Sequence, residues 1–139
     1  MTVLYSAEMA GLAAVPVSLP SGGVVDGNVR VKRATITLAS QTTSDTIVIA
    51  KGTEGESFLY GVVNTDTSLG SSQIAIGVSG AVAKYKAAAV QTATNAPAIF
   101  GVNAGTATLT ASEEIFITIS AANLPASGNL VVDMYFSAT

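Results

Sequence analysis

Leu130-Val131-Val132-Asp133-Met134-Tyr135-Phe136 alternates two sets of side chains. Leu130, Val132, Met134 and Phe136 fall on one side; Val131, Asp133 and Tyr135 fall on the other. A period of two is the signature of a β-strand, whose successive side chains point to opposite faces. One side is wholly apolar and the other mixed, as expected of a sheet with one face on a core.

Working back from there, the same kind of segment recurs. Ile115–Ala121 is a strand led in by Glu113-Glu114, and Ala98–Val102 is a short one. Ala83–Val90 sets Lys84 and Lys86 against Tyr85 and Ala87, which gives one wet face. Ala87-Ala88-Ala89 favours a helix by propensity, but the alternating lysines and the lack of a helix-length segment favour a strand. Gln73–Val78 alternates through Ile74, Ile76 and Val78. Ser57–Asn64 puts Phe58, Tyr60 and Val62 on one face and Leu59 and Val63 on the other. Thr46–Lys51 holds the continuous run Ile47-Val48-Ile49, which predicts burial on both faces. In Asn28–Ala39 the apolar parity changes after Lys32-Arg33, from Val29 and Val31 to Ala34, Ile36 and Leu38. That change predicts a β-bulge near Lys32.

Clusters of Gly, Asn, Asp and Ser separate these runs. Roughly eight short strands with such spacings predict an all-β, two-sheet β-sandwich, jelly-roll-like. The pattern does not fix the strand order. Residues 1–27 differ in kind. Met9–Leu19 is apolar but broken by Gly11 and Pro16, and Pro20-Ser21-Gly22-Gly23 follows as a turn or link. The expected organisation is an N-terminal arm over 1–27, with a short helix across Ser6–Ala14 capped by Ser6, and a sandwich domain over 28–139. An arm packed on its own domain is the plainer alternative.

The composition bounds function. The chain has 139 residues, 49% hydrophobic and 11% charged. So apolar and charge-poor a chain implies a membrane or extensive burial against partners. No run approaches the roughly 18 apolar residues of a spanning helix. Met9–Leu19 follows Glu8 and contains Pro16, a poor match to a signal peptide. A membrane barrel needs aromatic girdles, and the chain has no Trp. Assembly, without a membrane, is the better reading.

With no Cys and no His, thiol chemistry, disulfides, the usual triad and the commonest metal ligand are all absent. Glu113 and Glu114 are adjacent on a strand, so they point apart and suit a solvated strand start better than an acid–base couple. Glu54, Glu56, Asn64 and Asp66 are oxygen donors near turns, but too few for a Ca²⁺ cage. Turn chemistry explains Asn64–Asp66 better. No Gly-rich loop opens a helix, so a phosphate cradle is not expected. The expected protein is not an enzyme and carries no cofactor and no metal.

Arg30, Lys32 and Arg33 form the one basic cluster, extended on paper by Lys84 and Lys86. A solvated strand face is its plain reading, and a partner-binding patch the functional one. The net charge of −3 and the scarcity of interleaved aromatics speak against nucleic acid. Partner-binding residues are therefore expected on the arm, at Tyr5, Leu12, Val15, Val17 and Leu19, and at Arg30, Lys32 and Arg33.

Several segments also carry a likeness. Asp45–Lys51, Phe58–Gly70 and Ile74–Gly77, then Lys84-Tyr85-Lys86-Ala87-Ala88-Ala89, Leu109–Glu114 and Leu124–Val132, together resemble small virion structural proteins of tailed bacteriophages. The likeness spans about residues 28–138 and brings no catalytic motif. It implies a capsid decoration or cement protein, made in the host cytoplasm and seated on the head surface. Its implied partners are the major capsid protein and further copies of itself, as a homotrimer. Two other classes are carried beside it. One is a receptor- or glycan-binding module of a fibre or tail, with Tyr60, Tyr85 or Tyr135 stacking on a sugar. The other is a hydrolase, disfavoured by the scarcity of catalytic residue types.

Overall fold

A computed structural model describes residues 28–101 and 108–138. It contains eight strands: β1 (Asn28–Thr37), β2 (Thr46–Gly52), β3 (Ser57–Thr65), β4 (Gln73–Val78), β5 (Ala81–Val90), β6 (Ala98–Phe100), β7 (Glu113–Ser120) and β8 (Asn129–Ala138). They form two four-stranded sheets, sheet A in the order β1-β8-β3-β6 and sheet B in the order β2-β7-β4-β5. Every neighbouring pair is antiparallel. Except for the β4–β5 hairpin, each connection crosses from one sheet to the other, and the resulting order is that of an eight-stranded jelly roll.

The core lies between the sheets. Sheet A contributes Ile36, Phe58, Val63, Phe100, Leu130, Val132, Met134 and Phe136; sheet B contributes Ile74, Ile76, Tyr85, Ile115, Ile117 and Ile119. In β8 the four even-numbered apolar residues, 130 to 136, are all 0% exposed, as their period of two predicts. Phe58 anchors the aromatic part of this core, packing edge-on to Tyr85 and Phe136 at centroid distances of 4.7 and 5.5 Å.

The β1–β8 ladder runs from Asn28↔Ala138 to Thr37↔Asn129 with no shift in register, so there is no bulge at Lys32. The parity changes because Val29 and Val31 lie on the outer face, exposed at 62% and 55%. Lys32 keeps company with Ala34 and Ile36 on the inner side. Its stem covers apolar surface, and its Nζ lies 4.6 Å from the Phe136 ring centroid, a long cationic side chain closing the end of a core.

Bulges fall elsewhere. The β3–β8 register shifts between Phe58 and Tyr60, so Phe58 points into the core while Tyr60 turns outward; the two do not share a face. The β2–β7 register shifts between Val48 and Ala50. β2 is also an edge strand, and Val48 is 56% exposed, so the apolar run is not buried on both faces.

Candidate assembly surface

The outer face of sheet A is assembled from alternate residues of four strands. The ladders align them in rows. Val31, Tyr135 and Tyr60 form one row; Arg33, Asp133, Val62 and Ile99 form the next; Thr35, Val131 and Asn64 form a third. Of the eight large hydrophobic side chains exposed among the described residues, four lie on this face, Val29, Val31, Tyr60 and Ile99, and Leu59 sits at the bulge beside Tyr60. Scattered exposed apolar residues are ordinary, but a concentration on one sheet face marks an interaction surface.

Two polar devices sit within it. Arg33 grips Asp133 with two parallel hydrogen bonds, Nε to Oδ1 at 2.7 Å and Nη2 to Oδ2 at 2.8 Å. Side by side on adjacent strands, the two charges cancel and leave the face close to neutral. Tyr60 and Tyr135 lie with ring centroids 4.7 Å apart and planes 16° from parallel. Beside them a depression of about 250 Å³ is lined by Arg33, Val62, Asn64, Pro97, Val131 and Asp133. The Asn64 Oδ1 atom is buried and accepts no hydrogen bond.

The basic cluster is dispersed. Arg33 faces outward onto Asp133. Lys32 turns inward and gives its ammonium to Glu56 Oε1 at 2.7 Å and to the carbonyl of Lys51. Thr53 donates to the same carboxylate oxygen through its backbone N–H and its hydroxyl. Burial alone would raise the Glu56 carboxyl, but these hydrogen bonds and the Lys32 charge outweigh it and hold it below the usual carboxylate range. Arg30 is exposed. Tyr5, Leu12, Val15, Val17 and Leu19, with the helix and cap read across Ser6–Ala14, lie outside the described residues.

Lys84 and Lys86 do not join this cluster. They sit on β5, the far edge of sheet B, whereas β1 lies over the β2 edge. Lys84 pairs with Glu113 at 2.8 Å, and the Tyr85 hydroxyl donates to the same carboxylate. Glu113 is thus not a simple solvated strand start. Burial and this carboxylate both push the Tyr85 hydroxyl well up, and burial pulls the Lys86 ammonium down. Asp66 accepts the backbone N–H of Asn129 at 2.8 Å and the Thr67 hydroxyl at 3.0 Å, the turn role expected of it. Among the described residues no three Asp, Glu, His or Cys side chains come together to hold a metal.

Sequence reasoning missed the sheet A face as a unit. Its residues come from four separate segments, and only the ladder brings Val31, Tyr135 and Tyr60 into line. The signal available was the exposed parity of Val29 and Val31, which first suggested a bulge.

No family model matches the sequence, and no curated protein does. Solved structures do match. A chain of the cyanophage Pam1 capsid asymmetric unit superposes with a TM-score of 0.65 at 19% identity, covering 81% of this chain and 86% of that one. A chain in the capsid of Ralstonia phage GP4 gives 0.64 at 14% identity, with the same coverages. One in the acidic stable capsid structure of the Helicobacter pylori bacteriophage KHP30 gives 0.59 at 8%, covering 78% and 86%. At these identities the likeness is one of fold.

Proposed function

We propose that this chain is a structural component of a phage virion that decorates or cements the head, and that it does no catalysis. In this reading it oligomerises as a homotrimer and seats on the outer shell of the major capsid protein. It is made in the host cytoplasm and resides on the head surface. The observation that carries the proposal is the neutral, apolar outer face of sheet A on a jelly roll of the kind found in the three capsid structures. Burying apolar surface is worth roughly 25 cal/mol per Å². A standard interface removes roughly 800 Å² per partner, enough for stable association after its entropic costs. Arg30, Lys32 and Arg33 contribute unequally to such a contact, because Lys32 is already committed to Glu56. The arm, residues 1–27, adds its apolar side chains to the same assembly.

The test is light scattering coupled to size exclusion, followed by co-sedimentation with purified heads of a phage that encodes the protein. A trimer that sediments with heads supports the proposal. A monomer that stays in the supernatant overturns it.

One observation favours a second reading. The Tyr60–Tyr135 pair forms an aromatic platform beside Asp133, Arg33 and Asn64, as a glycan-binding module would require. Tyr85, 3% exposed, is not part of it. Glycan-array binding that disappears in Tyr60→Ala would favour this reading.

A further inference from the structure

We infer that the outer face of sheet A receives residues 9–19 of a second copy of this chain. The inference rests on the assembly reading and deepens it by naming the occupant of the face.

Charge is the first argument. Residues 9–19 contain no ionisable side chain. The face they would cover has its single charge pair, Arg33–Asp133, already closed on itself. An uncharged apolar segment covers such a surface without stranding a charge. The side chains charged at neutral pH in residues 1–27 are Glu8 and Asp26, both acidic, and they flank the apolar stretch. The described chain begins at Asn28, two residues from the exposed Arg30, for which no ion pair forms among the described residues.

Reach is the second argument. Nineteen residues, 9–27, run from the start of that segment to Asn28, a contour of at most about 63 Å at about 3.3 Å each. β1 is ten residues long, or about 33 Å. The segment is therefore long enough to pass beyond its own sandwich to a neighbour. Position is the third. Asn28 lies at the end of an edge strand, directly beside Val29 and Val31, so the junction with residues 1–27 sits next to the face that residues 9–19 of another copy would enter.

The experiment uses the full chain. Ile99, 66% exposed, is replaced by photoreactive benzoylphenylalanine, and ¹⁵N-labelled and unlabelled protein are co-assembled, irradiated and mapped by mass spectrometry. Cross-links from position 99 of one isotope to residues 9–19 of the other are expected. Cross-links to residues 9–19 of the same isotope alone, to another part of the chain, or to none would overturn the inference. A circular dichroism spectrum matching the parent keeps a negative result meaningful. Head binding is scored separately: cross-linked assemblies that ignore phage heads would sink the virion reading and leave this one standing, and head binding without the cross-link would do the reverse.

Discussion

β8 and β5 are both ten residues long, and both are dominated by apolar side chains, yet they differ in almost every physical respect. β8 is hydrogen-bonded on both sides, to β1 and β3. β5 ends its sheet and pairs only with β4, in a ladder that shifts twice. Leu130, Val132, Met134 and Phe136 are fully buried, whereas Val82 and Val90 are about half exposed and Tyr85 is the only β5 residue classed as buried. Apolar content alone therefore says little about what a strand contributes; its place in the sheet decides whether its side chains are covered. The sharpest way to break the comparison is Phe136→Ala. Its ring packs edge-on against Phe58 and under the Lys32 ammonium. A loss of about 3–5 kcal/mol is expected in urea unfolding. A loss below about 1 kcal/mol would mean β8 is not the centre of the core.

β5 is held at one particular point. A Cβ added at Gly77 would overlap the carbonyl of Ala81 and the backbone of Val82, so β5 passes directly over β4 there and only glycine permits the approach. The obstacle is main chain, which cannot swing aside as a side-chain tip can. Gly77→Ala should therefore cost about 1–3 kcal/mol. Hydrogen exchange should loosen across residues 81–86 while β8 amides keep their protection. Uniform loss across both strands would show that β5 is integral to the cooperative unit.

This contrast also explains what could be read from sequence. Leu130–Phe136 was legible because a central strand with one covered face writes its burial as strict alternation. Eight strands and a jelly-roll-like sandwich followed from the same rule applied to the other segments. The bulge after Phe58 was not legible, since an inserted residue flips parity without any composition signal; Phe58 and Tyr60 therefore looked like one face. Lys32 misled in the opposite direction. A lysine at an inner position looks like a break in the strand until Glu56, 24 residues on, supplies its counter-charge. The Arg33–Asp133 pair spans 100 residues of sequence, and no local pattern announces it.

The Lys32–Glu56 contact brings pH into the comparison, because it joins β1 to the loop before β3 and leaves β5 untouched. The folded-state pKa of Glu56 is depressed. Its contribution is thus fully present above the unfolded value of about 4.3. It fades as pH falls through the lower folded value. Glu56→Gln should cost about 1–3 kcal/mol at pH 7, since Lys32 loses its ionic partner. It should also flatten the acid limb of the stability curve below about pH 4. An unchanged acid limb in the variant would assign the acid sensitivity to other carboxylates, with Asp66, also held low by its hydrogen bonds, the next to test.

The smallest expected effects on folding sharpen the comparison most where assembly is concerned. Val90 on β5 and Ile99 on β6 are both exposed apolar residues, 49% and 66%. They differ in what surrounds them. Both lie on edge strands, but Val90 ends its strand, whereas Ile99 sits in a row with Val62, Asp133 and Arg33 on the sheet A face. Neither Val90→Lys nor Ile99→Lys should change the stability of the fold by more than about 1 kcal/mol. If the sheet A face carries association, Ile99→Lys lowers the solution mass to that of a monomer, because it places an unpaired charge in a contact that is otherwise neutral. Val90→Lys leaves the mass unaltered, since a lysine on a free edge strand meets only water. The reverse pattern, with assembly lost on Val90→Lys alone, would move the interface to β5 and make that exposed edge the part of the molecule its copies recognise.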